Sequence, residues 1–202
     1  MIKLPLDFPE RDSLFGILKA RRSTRSFSHK PIEIEVAAYL LWASYGRVDL
    51  WENGRRAITV PSAGATYPLE IYLVCGENSI DSLEAGVYRY DNRRHSLEKT
   101  LSGDLREKLA RACLSQNFIL DAPATIVIAA EYSRTTRHYG ERGYRYVYME
   151  AGHVGQNIYL VSASLGLGTV AVGAFRDGEV ADLLELPDGI EPIYIFPVGF
   201  IS

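Results

Sequence analysis

Three arginines crowd into one short segment near the start of the sequence. Arg21, Arg22 and Arg25 fall within five residues, with the hydroxyls of Ser23 and Thr24 between them and no carboxylate. Guanidinium groups bind oxyanions such as phosphate through paired, charge-assisted hydrogen bonds. The same cluster is also explained as a solvated, cationic helix end that the helix dipole stabilises. The segment by itself therefore leaves phosphate binding and a plain helix end both open.

Two segments of small residues could bring the backbone close to a flat ligand. The first is Pro61-Ser62-Ala63-Gly64, directly before a strand pattern. The second is Gly166-Leu167-Gly168, which follows the longest helical pattern. It lacks the GxGxxG spacing and the strand-before-helix order of a dinucleotide fingerprint, so a Rossmann site is not indicated. Each segment alone is equally explained as an ordinary loop or helix end.

Other patterns associated with catalysis are weak. Glu150 and His153 stand three residues apart and should face the same way on a helix, but a carboxylate-bridged metal site needs a second such pair. Cys75 and Cys113 lie in apolar runs typical of core cysteines, and neither has an evident histidine partner. We therefore predict no metal site, and the sequence assigns no catalytic side chain.

These segments must be positioned by the helices and strands that the apolar patterns predict. Helices mix with strands without a regular βαβ alternation, which predicts an α+β fold: a central mixed or antiparallel sheet flanked by helices, with one long central helix. The length predicts a single domain over residues 1–202. The expected helices are 12–21, 34–45, 105–112, 143–166 and 179–184, and the expected strands are 69–75, 86–90, 95–97, 124–130, 169–174 and 193–198.

Bulk composition excludes several classes of partner. The net charge of −3 does not favour nucleic acid or an anionic membrane surface. No signal peptide and no apolar run of about 18 residues is present. With two cysteines, too few for a disulfide scaffold, we expect a cytoplasmic location.

Taken together, five blocks of the sequence resemble the nitroreductase superfamily, and specifically its SagB-type (thiazole/oxazole-forming) dehydrogenase branch. The resemblance implies a nitroreductase-like fold and a homodimer with FMN bound at the subunit interface. The blocks are 21–27 (RRSTRSF), 61–74 (PSAGATYPLEIYLV), 86–97 (GVYRYDNRRHSL), 144–175 and 192–199 (PIYIFPVG).

The same resemblance implies roles for the residues singled out above. Arg21, Arg22 and Ser23 would contact the FMN tail, and Arg25 the pyrimidine edge. The Pro61-Ser62-Ala63-Gly64 loop of the other subunit would lie along the isoalloxazine. The backbone amides of Gly166-Leu167-Gly168 would lie near the flavin nitrogen-5. Many nitroreductases carry a further basic residue near the C-terminus, whereas this sequence reads GFIS there, so the phosphate contact would depend on Arg21 and Arg22.

The activity that the resemblance implies is ping-pong hydride transfer from NAD(P)H to a nitro, quinone or similar small-molecule acceptor. Two alternatives stay open: oxidation of azoline rings in peptides together with partner proteins, and flavin binding without turnover. Arg134, Arg137, Tyr144 and Arg145 form a polar segment before the long helix and could cover a bound substrate.

Overall fold

The computed structural model describes residues 13–48 and 57–202. Asp12, where the first helix is expected to begin, and the turn that Glu52-Asn53-Gly54 predicts lie outside the described residues. The helices are α1 (Ser13–Ala20), α2 (Ile34–Tyr45), α3 (Arg106–Ala112), α4 (Phe118–Asp121), α5 (Ser133–Tyr139), α6 (Arg142–Ser164) and α7 (Asp177–Leu183). The strands are β1 (Arg47–Val48), β2 (Ala57–Ile58), β3 (Leu69–Cys75), β4 (Gly86–Asp91), β5 (Ser96–Ser102), β6 (Ala124–Glu131), β7 (Leu167–Thr169) and β8 (Ile190–Phe200).

A six-stranded sheet in the order β5-β4-β3-β6-β8-β7 forms the centre of the fold. Each neighbouring pair in it is antiparallel. β6 lies in the middle, as its continuous apolar sequence predicts, because a central strand is covered on both faces. The α+β fold with an antiparallel central sheet is thus confirmed.

Two apolar cores lie on opposite faces of this sheet, and the side-chain alternation of β3 separates them. Leu69, Ile71 and Leu73 pack in the core that α2 and α6 share. Tyr72 and Val74 point into the other core, which also contains side chains of α3, α4 and α7. Successive side chains of a strand face opposite sides, so one apolar strand contributes to both cores.

The long helix α6 spans 23 residues, about 34 Å. Gly155 lets it approach β8 closely, because a Cβ there would lie 2.6 Å from the Phe196 ring. On the side of α6 away from its buried residues lies a run of exposed residues, which we call the α6 outer stripe: Arg145, Tyr148, Met149, Gly152, His153 and Gln156.

Most of the predicted elements are confirmed, including the bounds of α2 and β3 and the β4–β5 hairpin. Two differ. Residues 169–174 are not a continuous strand: β7 ends at Thr169, and Val172 then forms one isolated bridge to Ile195. The apolar alternation there reflects burial of Val170 and Val172 and not a ladder. The helix α5 was not predicted, because SRTTRHY has no apolar period and only its Thr135 is buried.

Within residues 13–48 and 57–202, no helix is both long and apolar enough to cross a bilayer.

Candidate functional site

The arginine segment leaves α1 and runs beside the edge strand β7. The amide of Thr24 donates to the carbonyl of Thr169 at 2.9 Å, and Ser23 bridges the same residue in parallel orientation. Gly168 permits this approach, because a Cβ there would lie 2.7 Å from the Thr24 Cγ2. Two of the predicted blocks, far apart in sequence, are therefore neighbours in the fold.

Tyr159 of α6 ties these two blocks together. Its hydroxyl lies 2.9 Å from the Ser23 Oγ and accepts a hydrogen bond from the Ala171 amide at 2.9 Å. The Arg21 guanidinium carbon lies 5.1 Å from the centre of its ring, a cation–π geometry. Sequence analysis did not single out Tyr159. A tyrosine on the inward side of a helix, where its hydroxyl needs a partner, was the available signal.

The three arginines of the block differ in their surroundings. Nη1 of Arg22 donates to the carbonyls of Lys19 and Arg21, at 2.8 and 2.9 Å, and so caps the end of α1. Arg21 is half-buried beside Tyr159, whereas Arg25 is exposed. In the described part of the chain, none of the three pairs with a carboxylate. Among residues 13–48 and 57–202, the block thus presents positive charge that no acidic group neutralises.

A small cavity of about 180 Å³ opens where α1, the end of α6 and β7 meet. Gly166, with φ of 70°, turns the chain at its rim from α6 into β7. Arg25 and Gly168 are absent from its lining. The lining residues are Ala20, Arg22, Thr24, Tyr159, Ser162, Ala163, Gly166, Leu167, Thr169 and Ile201.

This cavity fits one part of FMN and not the whole molecule. Ligand pockets for molecules of that size are about 300–1,000 Å³. The guanidinium of Arg22, the hydroxyls and the small residues in its lining suit a phosphate and a flat ring, because guanidinium pairs with phosphate and small side chains admit a ring edge. The residues therefore fit FMN only if a further surface completes the site.

The Pro61-Ser62-Ala63-Gly64 loop lies elsewhere on the subunit. It enters a short 3₁₀ turn, Ala63–Ala65, and packs near α5: a Cβ on Gly64 would lie 2.6 Å from the Tyr139 hydroxyl. The Ser62 hydroxyl lies close enough to Glu150, in the first half of α6, to lower the pKa of that carboxyl. Ser162, which lines the small cavity, is twelve residues further along, about 18 Å along the helix axis. Within one subunit, the Pro61-Ser62-Ala63-Gly64 loop therefore does not reach the small cavity.

Glu150 is a buried acid that the sequence reading misplaced. It is 2% exposed, and Tyr45 of α2 donates to its Oε1 at 2.6 Å. Burial raises the pKa of this carboxyl, while hydrogen bonds to Tyr45 and Ser62 oppose the shift. His153 is exposed on the α6 outer stripe. The expectation that Glu150 and His153 face the same way is therefore wrong: three residues turn a helix about 300°, and Glu150 points into the core.

Part of the polar segment before α6, which was expected to cover a substrate, forms ion pairs instead. Arg134 donates to Glu70 at 2.6 Å and to Glu131 at 2.7 Å. It also donates to the carbonyl of Tyr67 at 3.1 Å, and it borders a second cavity of about 660 Å³ at the start of β3. Arg137, Tyr144 and Arg145 have no part in that lining. Arg134 therefore anchors the loop that precedes β3.

Comparison with known proteins places the chain in a family. Residues 18–200 match the family described as "Nitroreductase family". The chain is 47% identical over 190 residues to "Putative nitroreductase MJ1384" of Methanocaldococcus jannaschii, covering 94% of this chain and 92% of that protein. It is 28% identical over 198 residues to the trifolitoxin operon protein TfxC of Rhizobium leguminosarum bv. trifolii, covering 90% of this chain and 54% of TfxC. The chain thus spans about half the length of TfxC.

Solved structures share the fold. The crystal structure of reut_a1228 from Ralstonia eutropha JMP134 has a TM-score of 0.80 at 30% identity, covering 100% of this chain and 88% of that chain. A chain of the Escherichia coli microcin synthetase McbBCD complex has a TM-score of 0.77 at 24% identity, covering 99% and 79%. The NADPH:FMN oxidoreductase of Vibrio harveyi has a TM-score of 0.66 at 19% identity, covering 95% and 70%. From the match over residues 18–200 and the near-full-length relative, we conclude that this chain belongs to the nitroreductase family, a family of oxidoreductases.

Proposed function

We propose that the protein is an FMN-dependent oxidoreductase that works as a homodimer with a flavin site at each end of the subunit contact. One observation carries the proposal. The two parts of the predicted flavin site lie about 18 Å apart along α6, and the cavity that Arg22 lines is too small for FMN. A second subunit would supply the missing surface.

The α6 outer stripe is suited to that contact. Tyr148 and Met149 are each 54% exposed, although large apolar side chains gain from burial. Gly152, close to the middle of α6, has open space where a Cβ would stand. In a two-fold contact the same surface is used by both subunits. An antiparallel crossing of two α6 helices near Gly152 would bring the 61–64 loop of each toward Tyr159 of the other.

Each residue group has a task in this arrangement. Arg21 and Arg22 would neutralise the FMN phosphate, and Ser23 would add a hydroxyl contact. Arg25 would reach the pyrimidine edge, and the turn at Gly166-Leu167-Gly168 would bring backbone amides near the flavin nitrogen-5. The loop Pro61-Ser62-Ala63-Gly64 would cover one face of the ring and exclude water. When bound, FMN supplies the two-electron chemistry, accepting hydride from NAD(P)H and passing it to a nitro or quinone acceptor.

Subunit mixing tests the shared site directly. Arg22→Ala and Gly64→Pro each remove a different contributor, so at FMN concentrations near the wild-type Kd each homodimer should show little bound flavin and little activity. In a mixture of the two, half the dimers are mixed, and each of those carries one intact site. About a quarter of the wild-type sites should therefore return. The absence of any recovery in verified mixed dimers would refute the shared site, and flavin retained by a holo monomer would refute it as well.

A second activity, oxidation of azoline rings in peptides, has support of its own. The similarity to TfxC and the TM-score of 0.77 to a chain of the McbBCD complex favour it. Anaerobic titration separates the two: bleaching of bound flavin by NADH or NADPH supports the reductase. Flavin that is reduced only by an azoline-containing peptide supports the dehydrogenase. A flavin that neither compound reduces would indicate a binding protein without turnover.

One domain over residues 1–202 and a cytoplasmic location stay predictions.

A further inference from the structure

The larger cavity, of about 660 Å³, lies away from the arginine block, where β3 begins and β4 ends. We call it the β3 cavity. Its walls come from β1, β2, β3, β4, the loop before β3 and Arg134 of α5. None of the residues predicted to contact FMN borders it. Its volume is in the range of about 300–1,000 Å³ that is typical of sites for small molecules, so it can hold a ligand of its own.

Buried aromatic and aliphatic side chains form one part of the lining. Tyr45, Ile71 and Tyr90 are 3%, 1% and 6% exposed, and all three border the cavity. The Tyr45 hydroxyl donates to Glu150 at 2.6 Å, and the Tyr90 hydroxyl lies 2.8 Å from the Nδ1 of His95. Because both hydroxyls already have partners, these tyrosines offer a ligand mainly the apolar surface of their rings. This part of the lining suits an apolar or aromatic group.

Two of the four arginines that line the cavity are neutralised by carboxylates. Arg134 donates to Glu70 at 2.6 Å and to Glu131 at 2.7 Å. Arg89 donates to Glu98 at 2.7 Å. These pairs balance charge within the protein, so neither arginine needs a ligand for that purpose.

The other two arginines have no such partner. Arg47 on β1 and Arg93 in the turn after β4 both line the cavity and are exposed. In the part of the chain that the structure describes, neither forms an ion pair with a carboxylate. Asp91 stands near Arg93, but its Oδ1 accepts from the amides of Arg93 and Arg94, at 2.9 and 3.3 Å. Two guanidinium groups are thus available to an anion.

A hydrogen bond joins the two segments that carry these guanidinium groups. The Nδ2 of Asn92 donates to the carbonyl of Tyr45 at 3.1 Å. Arg93 directly follows Asn92, and Arg47 comes two residues after Tyr45. The turn after β4 is therefore fixed against the end of α2, and both arginines start from the same rim of the cavity. Side chains of this length can converge on one anion there.

We propose that the β3 cavity binds a small organic anion. A carboxylate or phosphate group would pair with Arg47 and Arg93, since guanidinium binds both through paired, charge-assisted hydrogen bonds. The apolar or aromatic body of the ligand would lie against Tyr45, Ile71 and Tyr90. This site goes beyond the proposed flavin site and does not depend on it.

Titration monitored by the amide NMR signals tests the site with three probes of similar size. Benzoate and phenyl phosphate carry the two candidate anions, and benzylamine carries a cation. At least one anion should shift the signals of residues 45–48, 66–71 and 89–93 in a saturable way, with Kd of about 1 mM or lower. The tighter of the two identifies the preferred group. No saturable shift with either anion, or equal binding of benzylamine, would overturn the proposal.

Substitution of the two arginines tests which groups bind the anion. Arg47→Gln and Arg93→Gln should each weaken binding about three- to tenfold, because each removes one charge-assisted contact that solvent partly screens. Arg94→Gln is the matched control: Arg94 is an exposed arginine in the same turn but does not line the cavity. Its Kd should stay within about twofold of wild type. An unchanged Kd in Arg47→Gln and Arg93→Gln, or an equal loss in Arg94→Gln, would overturn the assignment.

The arginine block is the other place where these anions could bind, and Arg22→Ala separates the two. Binding in the β3 cavity should be the same in wild type, in Arg22→Ala and in the presence of excess FMN. Shifts confined to residues 20–27 that disappear in Arg22→Ala would place the anion on the arginine block and overturn the proposal. A wild-type protein that binds no FMN would refute the proposed function, whereas the result for the β3 cavity would stand.

Discussion

Replacing Arg22 by alanine should weaken FMN binding without unfolding the protein. Nη1 of Arg22 already donates to the carbonyls of Lys19 and Arg21, so Nε and Nη2 are left to meet a phosphate. One charge-assisted pair of this kind contributes about 1.5–3 kcal/mol, equivalent to about 10- to 150-fold in Kd. Arg22 is exposed, and solvent screens its charge. We therefore expect the lower end, about a tenfold increase in Kd.

The flavin-free variant should lose little stability. Its two hydrogen bonds to the end of α1 are exposed, so their removal should reduce the free energy of unfolding by less than about 1 kcal/mol. FMN at 100 times its Kd raises the free energy of unfolding by about 2.7 kcal/mol, and a tenfold weaker Kd removes about 1.4 kcal/mol of that stabilisation. The melting temperature of the variant should therefore fall mainly in the presence of FMN.

Arg111→Ala is the matched control for this prediction. Arg111 is also an exposed arginine near a helix end, but it lies on α3 and pairs with Glu107. Its removal should change stability by less than about 0.5 kcal/mol and leave FMN binding unaltered. Quenching of FMN fluorescence gives Kd, and thermal unfolding with and without FMN gives the ligand-dependent part. An Arg22→Ala Kd equal to that of wild type would refute the assignment of this block to the phosphate.

Three further substitutions test the site and the core. Tyr159→Phe leaves the Ser23 hydroxyl and the Ala171 amide without their partner, so it should destabilise the protein by about 1–3 kcal/mol and weaken FMN binding. Denaturant unfolding measures the stability and FMN titration measures the binding. No change in either quantity would contradict the role of Tyr159 in joining the two blocks. Gly64→Ala should lower flavin occupancy, because φ is positive and the new Cβ would meet the Tyr139 hydroxyl; full occupancy would count against the loop geometry. Burial raises the pKa of Cys75 to about 11 and that of Cys113 to about 12, so neither should react with a thiol reagent at pH 8 until the protein unfolds. The stabilisation from burying these two thiols is complete below the ordinary thiol pKa and is lost as pH rises through 11 to 12. A thiol of the native protein that reacts quickly at pH 8 would show that one of the two cysteines is accessible.

The sequence by itself determined the elements and the family. Local patterns sufficed for α2, with its apolar spacing and its stop at Gly46, and for β3 and β6, with their apolar runs. These patterns are reliable because burial repeats every two or 3.6 residues along a strand or helix. The five blocks also carried the resemblance to the nitroreductases, which the family match over residues 18–200 confirms.

Only the tertiary structure decided which residues meet. The contact of Ser23 with Tyr159 joins residues 136 positions apart, and no local pattern encodes such a distance. The sequence of α5 likewise has too little apolar periodicity to predict a helix. This helix is stabilised by its packing on α6, which the sequence of the segment does not show.

The hydrogen-bonding partner of Glu150 was hidden for the same reason. Glu-x-x-His spacing suggests a shared face, yet the core accepts Glu150 and leaves His153 in solvent. A carboxyl is buried only where polar groups from other elements satisfy it, and here the hydroxyl of Tyr45 donates a hydrogen bond to it. Sequence spacing gives the angle between two side chains on a helix. Which of the two side chains can be buried depends on hydrogen-bonding groups that only folding brings within reach.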